Sequence, residues 1–247
     1  MTRRVNLLNG AFDALSLPQT ADAIFQMLGT GRRGWLCTVN VAILMMMRAD
    51  ARLQGFVDRA ALVVADGQPL IWCARLFGQP LPERVTGVDL VDALCERAAR
   101  AGKRVYLLGA TEEIVSSLAQ RLRSRHPDLL VECADGYFTQ DQAAARAARI
   151  QSSGAAILFV GMGVPRQENF IEEQWDRLGV GMAIGVGGSF DVLAGVRARA
   201  PLWMQQAGLE WFFRLIQEPR RLFARYLVTN SRFVWLVLMD LLKGGQR

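Results

Sequence analysis

Short apolar runs alternate along this chain with longer stretches in which apolar residues recur every three to four positions. Runs of strand length and aliphatic or β-branched character fall at residues 5–8, 35–39, 62–65, 104–108, 129–133, 155–160 and 181–186. The helical period is found at 20–28, 41–54, 69–77, 88–101, 112–125, 140–152 and 167–178. Such βα alternation predicts an α/β fold: a Rossmann-like parallel sheet sandwiched between helices. After Pro201 the strands stop. Leu209, Phe212, Phe213, Leu215 and Ile216 give one apolar helical face, and beyond Pro219 a second helical run extends to Leu242. The expected organisation is a core over residues 1–200 and a basic, amphipathic helical appendage over 201–247.

Charge sharpens that boundary. Residues 197–247 hold nine Lys and Arg against three Asp and Glu, so the whole net charge of +6 sits there, beside three of the six tryptophans. A local basic patch is implied, with an anionic surface or ligand as its partner. Arg214, Arg221 and Arg225 share one helical side, interleaved with Trp211, Phe212, Phe223, Tyr226 and Trp235. Those residue types suit an interfacial helix with guanidinium groups on phosphates. They also suit a solvated helix packed on the core. The most apolar late run, 233–242, contains Asp240 and is about half the length a spanning helix needs. The start of the chain lacks a long apolar segment, so no signal peptide is expected. Four scattered cysteines form no C-x-x-C pair and read as reduced packing residues. The one histidine, His126, cannot assemble a metal site.

Candidate chemistry gathers at the strand ends, where ligands of open α/β sheets bind. Thr38 and Asn40 stand at the end of the second strand and are placed either to hydrogen-bond a sugar or phosphate or to cap the next helix. Asp66, before Gly67, is a general-base candidate at a buried strand tip, or the first residue of a turn. Arg84 is a phosphate ligand or a surface charge. Gly109, Gly136, Gly161, Gly163 and Gly187 open strand-end loops. The string Gly161-Met-Gly163-Val-Pro165-Arg-Gln167 is only superficially a dinucleotide fingerprint, because it lacks the third glycine. Its helix start would present backbone N–H groups to a phosphate. Tyr137 and Phe190, with Asp191, would hold a nucleobase, or the two rings plug the core. No Asp-x-Asp occurs, so diphosphate chemistry would fall to arginines and backbone amides.

Taken in order, these strings resemble the WecG/TagA/CpsF family of glycosyltransferases (glycosyltransferase family 26). The matching pieces are TVN at 38–40, ADGQP at 65–69, ERVTGVDL at 83–90, YLLGA at 106–110 and GYF at 136–138. They continue with VGMGVPRQE at 160–168, GVGGSFDVLAG at 185–195, RAP at 199–201, GLEW at 208–211 and EPRR at 218–221. The resemblance implies inverting, metal-independent transfer of a hexose (N-acetylmannosamine, its uronic acid, or glucose) from a UDP-sugar to a polyprenyl-diphosphate-linked saccharide. It places that work peripherally, on the cytoplasmic face of the membrane. By position, Asp66 corresponds to the catalytic base, and Thr38, Arg84 and Gln167 to residues around the donor sugar and phosphates. Gly136, Tyr137, Phe190 and Asp191 fall in nucleotide loops. Arg214, Arg221 and Arg225 correspond to arginines brought to the site when the appendage docks at a membrane. Two departures stand out: Ala224 replaces a frequent basic residue, and Gly67-Gln68-Pro69 replaces Gly-x-Gly after the base. The first puts one phosphate contact in question and the second alters the sugar pocket.

Expected partners are therefore a UDP-hexose, the lipid-linked saccharide and an anionic membrane surface, with no cofactor and no metal. A homo-oligomer is compatible with the sequence. A dehydrogenase or methyltransferase would also use strand-end glycines, but the missing third glycine counts against it. A nucleic-acid-binding arm would explain the basic tail, but the aliphatic content of 233–242 points to lipid.

Overall fold

The computed structural model describes residues 3–244. Six strands form one parallel sheet: β3 (Gly34–Val39), β4 (Leu62–Ala65), β5 (Val105–Gly109), β6 (Val131–Ala134), β7 (Ile157–Gly161) and β8 (Met182–Gly185), in the order β4-β3-β8-β7-β5-β6. All but the edge strand β6, which carries the part-exposed Glu132, are nearly continuous apolar runs, as strands buried on both faces must be. An antiparallel hairpin, β1 (Arg4–Leu7) and β2 (Gly10–Asp13), stands apart from this sheet. Asp13, 5% exposed, fastens it by accepting the Val63 N–H at 2.8 Å.

Helices cover both faces. Apolar residues of α1 (Leu17–Gly29), α5 (Gly87–Arg100), α6 (Glu112–Arg125) and the short α9 (Ser189–Leu193) share one core cluster with Leu36, Leu107 and Phe159 of the sheet. On the other face, α2 (Val41–Ala49), α3 (Ala51–Asp58), α4 (Gln68–Leu76), α7 (Ala143–Ser153) and α8 (Arg166–Leu178) pack with the hairpin. The expected helix over 41–54 is thus two. Asp50 ends α2 and caps α3, its carboxylate accepting from the Arg52 and Leu53 amides at 2.9 and 3.1 Å.

Beyond the sheet run α10 (Leu202–Gln206), α11 (Glu210–Gln217) and α12 (Pro219–Gly244). The long α12 lies on α2 and sends Phe233 and Val237 into the same core cluster as Val41 and Leu44. The side chains of Arg221 and Arg225, expected at the site, lie outside the described residues. No helix among the described residues is long and apolar enough to cross a membrane.

Candidate active site

The ends of β3 and β4 begin the site. Asn40 caps α2, its Oδ1 accepting the Ile43 N–H at 3.1 Å, which is the capping role its position allowed. Thr38, buried, donates its hydroxyl to the Gly185 carbonyl at 3.1 Å and so ties β3 to β8 across the site floor. Asp66 extends the β3–β4 ladder by one bond, its N–H reaching the Val39 carbonyl at 2.8 Å. The chain then turns sharply at Gly67, whose φ of +147° few side chains tolerate. Val85 donates to the Ala65 carbonyl at 2.8 Å, and this carries neighbouring Arg84 alongside Asp66.

Two adjoining clefts share Asn40, Asp66, Glu210, Arg214 and Tyr226 in their walls. The smaller, about 800 Å³ of space open to solvent, is also lined by Gly67, Gln68, Pro69, Arg84 and Trp211. The larger, about 1330 Å³, reaches Thr38, Gly163, Gln167, Gly187, Ser189 and Arg199. Helix α11 forms their common roof. It is held there by Gln217, which donates to the Ala198 carbonyl at 3.0 Å, and by an Arg197–Glu218 ion pair at 2.9 Å. Gly67-Gln68-Pro69, where the sequence departs from Gly-x-Gly, therefore lines the wall beside Asp66.

Electrostatics single out Asp66. Burial pushes its carboxyl up to about 6; Arg214 opposes this, Glu210 reinforces it, and Arg84 and Asp89 act more weakly in the same two senses. A carboxylate with that acidity is ionised near neutral pH and still basic enough to accept a proton. Gln167, 3% exposed, joins two loops: its Oε1 accepts the Gly163 and Gly187 amides at 3.2 and 3.0 Å. The Gly163 amide, in the loop whose backbone N–H groups were expected to face a phosphate, is thus taken by a side chain in this structure. Its Nε2 donates to Glu168, whose carboxyl burial pushes up to about 7.

The structure thus brings Thr38, Asn40, Asp66, Arg84, Gly163, Gln167, Gly187 and Arg214 together. Other candidates go elsewhere. Phe190 is 1% exposed and sits beneath Gly161, where a Cβ would come within 2.7 Å of its ring. Its ring is core packing, which corrects the reading of it as a base-stacking surface. Gly109, Gly136 and Gly161 meet backbone to backbone: a Cβ on Gly109 would lie 2.4 Å from the Gly161 carbonyl oxygen, and one on Gly136 2.8 Å from the Gly109 Cα. Close packing of three strand ends, not a wall of the clefts, is what these glycines provide. Tyr137 is 72% exposed and lines neither cleft, and Asp191 lies within α9.

Sequence reasoning overlooks Arg199, Glu210 and Asp89. Glu210 pairs with Arg84, and Arg199 grips Asp89 at 2.7 Å. The signal that finds them is their place inside RAP, GLEW and ERVTGVDL, strings that carry the resemblance. Among the described residues no three His, Cys, Asp or Glu side chains cluster as metal ligands. The model of the glycosyl transferase WecG/TagA/CpsF family matches residues 5–247, essentially the whole chain.

Proposed function

The chain belongs to the WecG/TagA/CpsF family of glycosyltransferases, and from that premise we propose that it transfers a hexose from a UDP-sugar to a polyprenyl-diphosphate-linked saccharide, with inversion and without a metal. Its product would enter cell-surface polysaccharide. The observation that carries this reading is Asp66, held near neutral acidity at the tip of β4 in a cleft flanked by Arg84 and Arg214.

In this mechanism Asp66 takes the proton from the acceptor hydroxyl. The oxygen attacks the anomeric carbon from the face opposite UDP, the bond from that carbon to the diphosphate oxygen breaks, and UDP leaves. Arg84 and Arg214 meet the charge that develops on the diphosphate. Thr38 and Gln167 fix the loops at the ends of β3, β7 and β8, so the cleft floor keeps its shape as the charge moves. Positive charge facing the leaving group comes from guanidinium groups, and turnover is expected to persist in EDTA.

The site is reached from a membrane face. Thirteen of the eighteen exposed large hydrophobic side chains among the described residues fall between Leu202 and Leu242. Such concentration on the element that roofs the cleft favours peripheral docking at the cytoplasmic membrane surface, where the lipid-linked acceptor would lie.

A panel of UDP-hexoses with a short-chain polyprenyl-diphosphate saccharide tests the proposal. One UDP-hexose is expected to be turned over, and Asp66→Asn to lower kcat by roughly 10²- to 10⁴-fold with the donor still bound. Undiminished transfer by Asp66→Asn would remove it as the base.

A further inference from the structure

Glu210 opens α11 and is 8% exposed, yet it faces the cleft. Arg84, from the loop before α5, donates to its Oε2. Arg214, one turn further along α11, reaches Oε1 at 3.6 Å, and Arg199 Nε stands 3.8 Å from the same oxygen. Arg199 is itself fixed by Asp89, whose carboxylate it meets at 2.7 and 2.8 Å and which also accepts from the Thr86 hydroxyl at 2.7 Å. Its Nε is buried and makes no hydrogen bond. Three guanidinium groups from three separate segments therefore surround one carboxylate, and one of them holds an unsatisfied donor towards it.

Guanidinium forks fit carboxylate and phosphate oxygens alike. Cations so close together in a half-buried cleft need an anion between them, since unpaired buried charge is costly. An incoming diphosphate would need the same donors that Glu210 now holds. We infer that Glu210 is a placeholder anion: in the empty cleft it occupies the donors of Arg84, Arg199 and Arg214 and yields them to the diphosphate of the donor. The inference rests on the reading of the cleft as a UDP-sugar site and adds Arg199 to the groups that receive the diphosphate. Glu210 acts only through the arginines.

The test is calorimetric titration of UDP into the full-length protein and its Glu210→Gln, Arg84→Gln and double variants, each first checked to be folded at the temperature of the titration. Glutamine keeps the shape of Glu210 and removes the competing charge, so Glu210→Gln is expected to bind UDP roughly fivefold or more tightly than wild type. That gain should largely vanish in the Arg84→Gln background, because the exchange runs through Arg84. Arg199→Gln should weaken UDP binding. Equal or weaker UDP binding by Glu210→Gln, or a gain that persists undiminished without Arg84, would overturn the inference. If Glu210→Gln does not fold, Glu210→Asp makes the same test by drawing the carboxylate back one methylene, with a smaller tightening expected; unchanged or weaker affinity then overturns it. Absence of UDP binding by the wild type would instead overturn the reading of the cleft, and this inference with it.

Discussion

Asp66 acquires its chemistry from its surroundings more than from its residue type. An exposed aspartate would be a weak base at neutral pH, whereas burial lifts this one to about 6. In the free enzyme kcat/KM should therefore rise with pH through about 6 and level above it, as the ionised fraction saturates. Arg214 is the strongest charge holding the value down. Its replacement by glutamine removes a stabiliser of the carboxylate, so the acid limb of the profile should move to higher pH as the maximal rate falls. A pH–rate profile of Arg214→Gln with its acid limb unmoved would show that Arg214 does not stabilise the titrating carboxylate. A purely structural role for Arg214 would change the height of the profile and leave its midpoint in place.

At the scale of elements, the sheet was largely legible: each of its six strands was anticipated within a residue or two, because fully buried parallel strands read as bounded apolar runs. The hairpin was harder. Asn9-Gly10 is a turn pair, yet the register pairs Leu7 with Gly10 and places the loop at Leu8–Asn9, one position early, with Leu8 at a φ of 53°. Gly10 is required for another reason: a Cβ there would come within 2.8 Å of the Phe12 ring and 2.9 Å of Leu44. The break at Asp50 was missed because the apolar period runs on through it; only the cap geometry separates the two helices. Within the site, strand-end position identified Asp66 but could not tell a wall glycine from a packing glycine, since both follow strands. Gly109 decides the matter. With a φ of +152° and the Gly161 carbonyl 2.4 Å from any Cβ, Gly109→Ala is expected to cost about 2 kcal/mol or more in stability. Chemical denaturation without ligand would show it. A variant of wild-type stability with impaired UDP binding would return Gly109 to the ligand.

For the whole molecule, the last helices serve two ends at once. They carry Glu210 and Arg214 over the cleft, and they bury Phe233 and Val237 against the core. Deleting residues 201–247 would therefore strip the cover from α2 as well as remove the roof, and a loss of activity would not separate catalysis from folding. Surface substitutions separate them. Trp203 and Phe223 are 63% and 60% exposed, and neither lines the clefts. Serine at both positions should leave the melting temperature nearly unchanged, since exposed side chains away from special features contribute about 0.5 kcal/mol or less. If the apolar face enters the lipid boundary, each ring withheld from it costs part of the roughly 1.5–3 kcal/mol that burial of a large apolar side chain supplies. Co-sedimentation with anionic vesicles should then fall by about tenfold or more, and transfer to a vesicle-borne acceptor should fall with it, while UDP affinity in solution stays at the wild-type value. Vesicle binding that survives both substitutions would move the docking face elsewhere and leave the basic residues to attract the membrane by charge alone, a case that raised salt would expose.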